Sequence, residues 1–142
     1  MQRTDARLLH TMLRVGDLER SLVFYVDLLG MRLLRRQDSP EGQFTLAFVG
    51  YDEEDRASVL ELTHNWGEHT YDPGSGFGHV AIGVGDIYAV TAELARAGVK
   101  VVRGAGPLKG DPRETIAFIE DPDGYRIELI ERRAARPQFA AE

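Results

Sequence analysis

His10-Thr11-Met12-Leu13-Arg14-Val15-Gly16-Asp17-Leu18 returns, 69 residues later, as His79-Val80-Ala81-Ile82-Gly83-Val84-Gly85-Asp86-Ile87. In each copy a histidine opens an apolar run and a glycine-aspartate pair ends it. The echo continues downstream. Leu46-Ala47-Phe48-Val49 comes back as Ile116-Ala117-Phe118-Ile119, and Val59-Leu60-Glu61-Leu62 as Arg126-Ile127-Glu128-Leu129. His10 precedes Glu61 by 51 residues and His79 precedes Glu128 by 49. A duplicated half-domain is the simplest reading of such internal similarity. If two halves of this kind pair through their sheets, two imidazoles and two carboxylates can converge on one point, and that is a metal site.

Each copy reads as strand, helix, then three strands. The apolar run from Leu8 to Val15 alternates poorly and predicts a buried strand, and Asp17 supplies an N-cap acceptor. Leu18, Leu22, Tyr25, Val26 and Leu29 recur at three- and four-residue steps, which predicts a helix from about Leu18 to Leu29, with Gly30 as its left-handed cap. Strands follow at Arg32–Arg36, Thr45–Val49 and Ser58–Thr63. In the second copy the elements are a strand Val80–Val84, a helix capped by Asp86 with Ile87, Val90, Leu94 and Ala97 inward and closed by Gly98, and strands Lys100–Arg103, Thr115–Glu120 and Arg126–Glu131. Asp121-Pro122-Asp123-Gly124 is a strong turn signal and makes the last two strands a hairpin. Between the copies, Asn65 to Gly78 holds four glycines and one proline in fourteen residues, a loop rather than a domain linker. The expected organisation is one domain over 1–142, with repeat 1 at about 8–65, repeat 2 at about 79–131 and a loose tail at 132–142.

Composition bounds the chemistry. The 142 residues suit one compact domain, and 43% apolar with 28% charged content is ordinary for a globular protein. No segment approaches the roughly 18 to 20 apolar residues of a membrane span, and the first ten residues lack a secretory apolar core, so a cytoplasmic protein with no membrane partner is expected. There is no cysteine, which limits any metal to imidazole and oxygen ligands. A net charge of -6 argues against nucleic acid as partner, since phosphate binding needs a concentrated basic face.

A lone histidine at a strand start is more often structural than ligating; the repeated pair changes that weighting. Glu61 lies between Leu60 and Leu62, and Glu128 between Ile127 and Leu129, in strands whose apolar content indicates burial. A carboxylate there must be paired, protonated or metal-bound, because burying a bare charge costs several kcal/mol or more. An ion pair is the competing reading, but a salt bridge has no reason to reproduce histidine and glutamate in both copies. The candidate ligands are therefore His10, Glu61, His79 and Glu128, whose summed charge of about -2 a divalent cation neutralises. His64 and His69 have no evident counterpart in the second copy and are excluded as ligands.

These residues, with Phe24-Tyr25, Leu29-Gly30-Met31, Asn65-Trp66-Gly67 after Thr63, Gly78 before His79 and the Asp121–Tyr125 turn, resemble the lactoylglutathione lyases (glyoxalase I) of the vicinal oxygen chelate superfamily, over about Leu8 to Glu131. The resemblance implies an α+β fold of two βαβββ modules and a homodimer with its sites at the subunit interface, where His10 and Glu61 of one chain face His79 and Glu128 of the other. It implies conversion of the methylglyoxal-glutathione hemithioacetal to S-lactoylglutathione through an enediolate, with one divalent metal per site and glutathione as co-substrate. A base near neutral pKa must move one proton between adjacent carbons; that role falls to Glu128, with Glu61 as ligand and candidate base for the opposite enantiomer. The short length resembles bacterial members activated by nickel or cobalt, so Ni2+ is favoured, with Co2+ and Zn2+ as alternatives. Arg14 and Asn65 match positions that contact the tripeptide. Ser75 and Glu114 stand where animal-type members carry cations, and Lys109 is expected to substitute from a flexible loop. The rival readings are another enzyme of the superfamily (a coenzyme A thioester epimerase, a thiol transferase or a dioxygenase) or a metal-free binding protein of the antibiotic-resistance type. Retention of all four ligands and of Asn65-Trp66-Gly67 speaks against both.

Overall fold

In a computed structural model, which describes residues 1–132, the order strand, helix, three strands occurs twice. The elements are β1 (His10–Arg14), α1 (Leu18–Leu22) continuing as a π-helical turn (Val23–Leu28), β2 (Arg32–Ser39), β3 (Phe44–Gly50) and β4 (Val59–Asn65). They are followed by β5 (His79–Val84), α2 (Ile87–Arg96), β6 (Val101–Leu108), β7 (Asp111–Glu120) and β8 (Arg126–Glu131). The strands form two sheets of equal topology, β1-β4-β3-β2 and β5-β8-β7-β6. In each, the first strand pairs parallel with the last and the other pairs are antiparallel. The chain divides into two compact units, the first ending at Asp72 and the second beginning at Pro73. None of the described helices is long and apolar enough to cross a membrane.

One face of each sheet carries the core. Alternation along β1 and β4 sends Leu13, Val15, Leu60 and Leu62 to one side with Ala47 and Val49 of β3, all under 9% exposed. The second sheet does the same with Ile82, Ile127, Leu129, Ala117 and Ile119. Both helices begin as their sequences demand: the Asp17 and Asp86 carboxylates accept from the amides of Arg20 and Ala89, each at 3.1 Å, satisfying donors that a helix start leaves unpaired. Gly30 (φ 77°) and Gly98 (φ 92°) close them in the left-handed region. Asp121 makes its turn by accepting from the amides of Asp123 and Tyr125, both at 2.9 Å.

Several expectations need correction. The first helix is not α-helical throughout. Asp17 to Gly30 spans thirteen steps and Asp86 to Gly98 twelve; one extra residue in a helix is accommodated as a π turn, and this one buries two consecutive aromatics, Phe24 (4%) and Tyr25 (0%). In α2, Thr91 rather than Val90 joins Ile87 and Leu94 in the core, and Ala97 is exposed. The stretch Leu8–Val15 is buried on one face only: Leu13 and Val15 are covered, whereas Met12 lies on the face of His10 and Leu8 and Leu9 precede β1, all three exposed. β6 runs on through Gly104–Pro107 because pairing with β7 survives three register shifts. Of the expected loose tail, Arg132 still donates its amide to Val84 O at 2.7 Å, and 133–142 lie outside the described residues.

Candidate metal centre

The parallel pairing of β1 with β4 aligns His10 with Val59 and Met12 with Glu61. His10 and Glu61 therefore share a face, two residues apart along neighbouring strands. β5 and β8 repeat the alignment with His79 against Arg126 and Ala81 against Glu128. As a result His10 Nε2 stands 3.0 Å from Glu61 Oε1, and His79 Nε2 stands 3.1 Å from Glu128 Oε1. The histidine side chains are 37% and 43% exposed and the glutamates 15% and 16%, so each unit offers a covered carboxylate and an open imidazole at a sheet edge.

A phenylalanine completes each pair. Phe48 faces Glu61 across β3 and β4, and Phe118 faces Glu128 across β7 and β8. Each ring meets its histidine edge-on, with centroids 5.3 Å apart and planes at 84° and 80°, an arrangement that restrains the imidazole. Sequence reasoning did not give these two a role, although the repeated Ala-Phe within Leu46–Val49 and Ile116–Ile119 was the signal. The next positions outward differ between units. Arg35 and Arg103 sit opposite Phe48 and Phe118, each just after a bulge. The Arg35 guanidinium lies 3.7 Å over the Phe48 ring and grips Glu54 with two hydrogen bonds of 2.7 and 3.1 Å. That bond holds the Glu54 carboxyl below its usual range, with a smaller contribution from His10, and holds Arg35 above its own. Arg103 instead donates to the carbonyls of Gly104, Gly106, Pro107 and Ile116, bracing the bulged β6.

The donor set suits a divalent ion. Imidazole nitrogen and carboxylate oxygen are both ligand types for such ions, and in each unit they meet at ion-pair distance, 3.0 and 3.1 Å. Each unit brings two predicted ligands together. Among the described residues no group of three or more candidate ligands is assembled.

The other predicted residues distribute unevenly. Arg14 and Asn65 fall on the face of His10 and Glu61, at the far ends of β1 and β4; the Asn65 amide donates to the Tyr71 hydroxyl at 3.4 Å. Lys109 is exposed beside Gly110 in the tight turn joining β6 to β7, not in an extended loop. His64 does have a counterpart position, that of Glu131 three residues past Glu128. Its ring nitrogen Nδ1 donates to Val15 O at 3.1 Å, tying β4 to the residue after β1, while the Glu131 carboxylate accepts from the Ile87 amide at 3.3 Å, tying β8 to the start of α2.

A family model, the Glyoxalase/Bleomycin resistance protein/Dioxygenase superfamily, matches residues 7–129. The chain belongs to this superfamily. Its relatives within the glyoxalase superfamily include the probable lactoylglutathione lyase of Synechocystis sp., 60% identical over 87% of this chain and 94% of that one. The lactoylglutathione lyase of Neisseria meningitidis serogroup A is 58% identical over 94% of this chain and 96% of its own. Among solved glyoxalase structures, the trypanothione-dependent glyoxalase I of Leishmania major aligns with a TM-score of 0.84 at 41% identity, covering 96% of this chain and 94% of that one. Glyoxalase I of Zea mays aligns with a TM-score of 0.86 at 45% identity. There 89% of this chain matches 45% of the maize chain, so this chain spans about half the maize length.

Proposed function

We propose that the protein is a metal-dependent lactoylglutathione lyase that isomerises the methylglyoxal-glutathione hemithioacetal to S-lactoylglutathione in the cytoplasm. The observation that carries the reading is the repeated His-Glu pair, set by the same register against the same Phe in both units, in a chain so similar to lactoylglutathione lyases. In this reading two chains form a homodimer, 1–142 acts as a single glyoxalase-type domain, and each site joins His10 and Glu61 of one chain to His79 and Glu128 of the other.

His10, Glu61, His79 and Glu128 would hold a divalent cation, nickel by preference, which when bound would supply Lewis-acid stabilisation of negative charge on the substrate. The residues do the rest. Glu128 takes the proton from the carbon bearing sulfur and delivers it to the neighbouring carbon, while a hydroxyl proton shifts between the oxygens, so the product is an isomer and no electrons leave the substrate. Glu61 supplies the equivalent oxygen on the other side and serves the opposite enantiomer. Phe48 and Phe118 hold the imidazoles, and Arg14, Asn65 and Lys109 contact the tripeptide through charge-assisted and amide hydrogen bonds.

The test is thioester formation from methylglyoxal and glutathione, followed by absorbance before and after exhaustive chelation. Activity that is lost on chelation and restored better by nickel than by zinc is expected. Undiminished activity in the stripped protein, or no thioester from the untreated protein, would overturn the reading.

A further inference from the structure

A residue larger than glycine at position 83 would collide with Arg132. Alternation along β5 puts His79, Ala81 and Gly83 on one face, and the pairing of Ala81 with Glu128 puts Glu128 there too. A Cβ built on Gly83 would overlap Arg132 Cδ and stand 2.8 Å from Cγ. Glycine is what lets another chain lie this close to a backbone. Because the Arg132 amide bonds Val84 O at 2.7 Å, the β5–β8 ladder extends one residue past β8. The arginine stem then crosses the end of β5 on the face that carries His79 and Glu128.

The first unit carries a cation at the matching position. Gly83 corresponds to Arg14, each four residues past its histidine, and Arg132 corresponds to Asn65, each four residues past its glutamate. In the first unit the arginine grows from the edge strand. In the second it reaches over an edge-strand glycine from the neighbouring strand. The exchange moves the charge between strands and keeps a cation over the same end of the ligand-bearing face.

We infer that Arg132 is an anion-recognition residue of the half-site formed by His79 and Glu128, taking a carboxylate of the substrate; the inference rests on the function proposed above. Four residues of strand cover about 13 Å; in a tripeptide with its thiol on the middle residue a terminal carboxylate extends about 7 Å from that residue, which leaves about 6 Å, roughly the span of an arginine side chain. A carboxylate of a peptidic thiol whose sulfur is near Glu128 therefore falls within the guanidinium's reach, and the planar fork of arginine suits a carboxylate bidentately. The carboxylate comes either from the thiol or from a 2-oxoaldehyde that carries one.

Two arms separate the sources. In the first, equilibrium binding of S-methylglutathione and of its dimethyl ester is measured by calorimetry on the nickel-loaded protein, for the wild type, Arg132→Ala, Arg132→Lys and Gly83→Ala. In the second, KM and kcat are measured for the glutathione adducts of methylglyoxal and of a carboxylate-bearing 2-oxoaldehyde. A thiol source predicts about tenfold weaker binding of the acid but not of the ester in Arg132→Ala, partial rescue in Arg132→Lys, and a loss in Gly83→Ala that does not add to that of Arg132→Ala. An aldehyde source predicts a raised KM for the carboxylate-bearing adduct alone, with kcat kept. If neither arm responds to Arg132→Ala while the wild type makes thioester, the inference is overturned and the function stands. If the wild type makes no thioester, the function itself fails.

Discussion

Glu128→Gln keeps size and hydrogen-bonding reach at the strand position facing Phe118, and replaces the group assigned as the main base. Turnover should fall by roughly a hundredfold or more while circular dichroism and nickel content stay near wild type; a variant with near-normal turnover would remove Glu128 from the role of base. The four ligand candidates could be found in the sequence because they repeat. Phe48 and Phe118 repeat as well, yet an apolar residue in an apolar strand reads first as core, and their place against the imidazoles depends on pairing between strands distant in sequence. Arg35 and Arg103 show a further barrier: the same residue at the same register takes a carboxylate and a ring in one unit and four carbonyls in the other, a choice made by bulges and loops that have no short-range signature.

At the scale of elements, both helices start on an aspartate whose side chain accepts one otherwise unpaired amide. Asp17→Ala and Asp86→Ala should each lower stability by about 1 kcal/mol, read as a shift of the urea midpoint with an unchanged slope, and the two losses should add because the caps are separate. A loss below measurement in either variant would show that the cap geometry does not persist in solution. Caps, closing glycines and the Asp121–Gly124 turn are local devices, so the sequence displays them directly. The π turn was hidden because apolar spacing alone cannot distinguish a helix with one wide turn from a regular one; only the comparison of Asp17–Gly30 with Asp86–Gly98 exposes the additional residue. The exposure of Leu8, Leu9 and Met12 was hidden for a different reason, since apolar letters alone do not show where the strand begins or which of its faces the core covers.

For the whole molecule, the proposed sharing of each site between two copies predicts complementation between two inactive variants. A His10→Ala, Glu61→Gln chain and a His79→Ala, Glu128→Gln chain are each expected to be inactive. Refolded together in equal amounts, half of the dimers are mixed, and each mixed dimer holds one intact site, so about a quarter of wild-type activity should return. No recovery, with mixed dimers confirmed by mass, would show that each chain closes its own site.

The sequence by itself determined the duplication, the order of elements in each half, the helix caps and turns, and the four candidate ligands, because each is written in local pattern or in repetition. The tertiary structure decided that His10 meets Glu61 and His79 meets Glu128, that a phenylalanine steadies each imidazole, and that Arg132 takes the space Gly83 leaves open. The physical reason is register: which residues share a face and a hydrogen-bonded row is fixed by the sliding of strands some fifty residues apart into one alignment, and a displacement of one residue would turn each of these side chains to the opposite face.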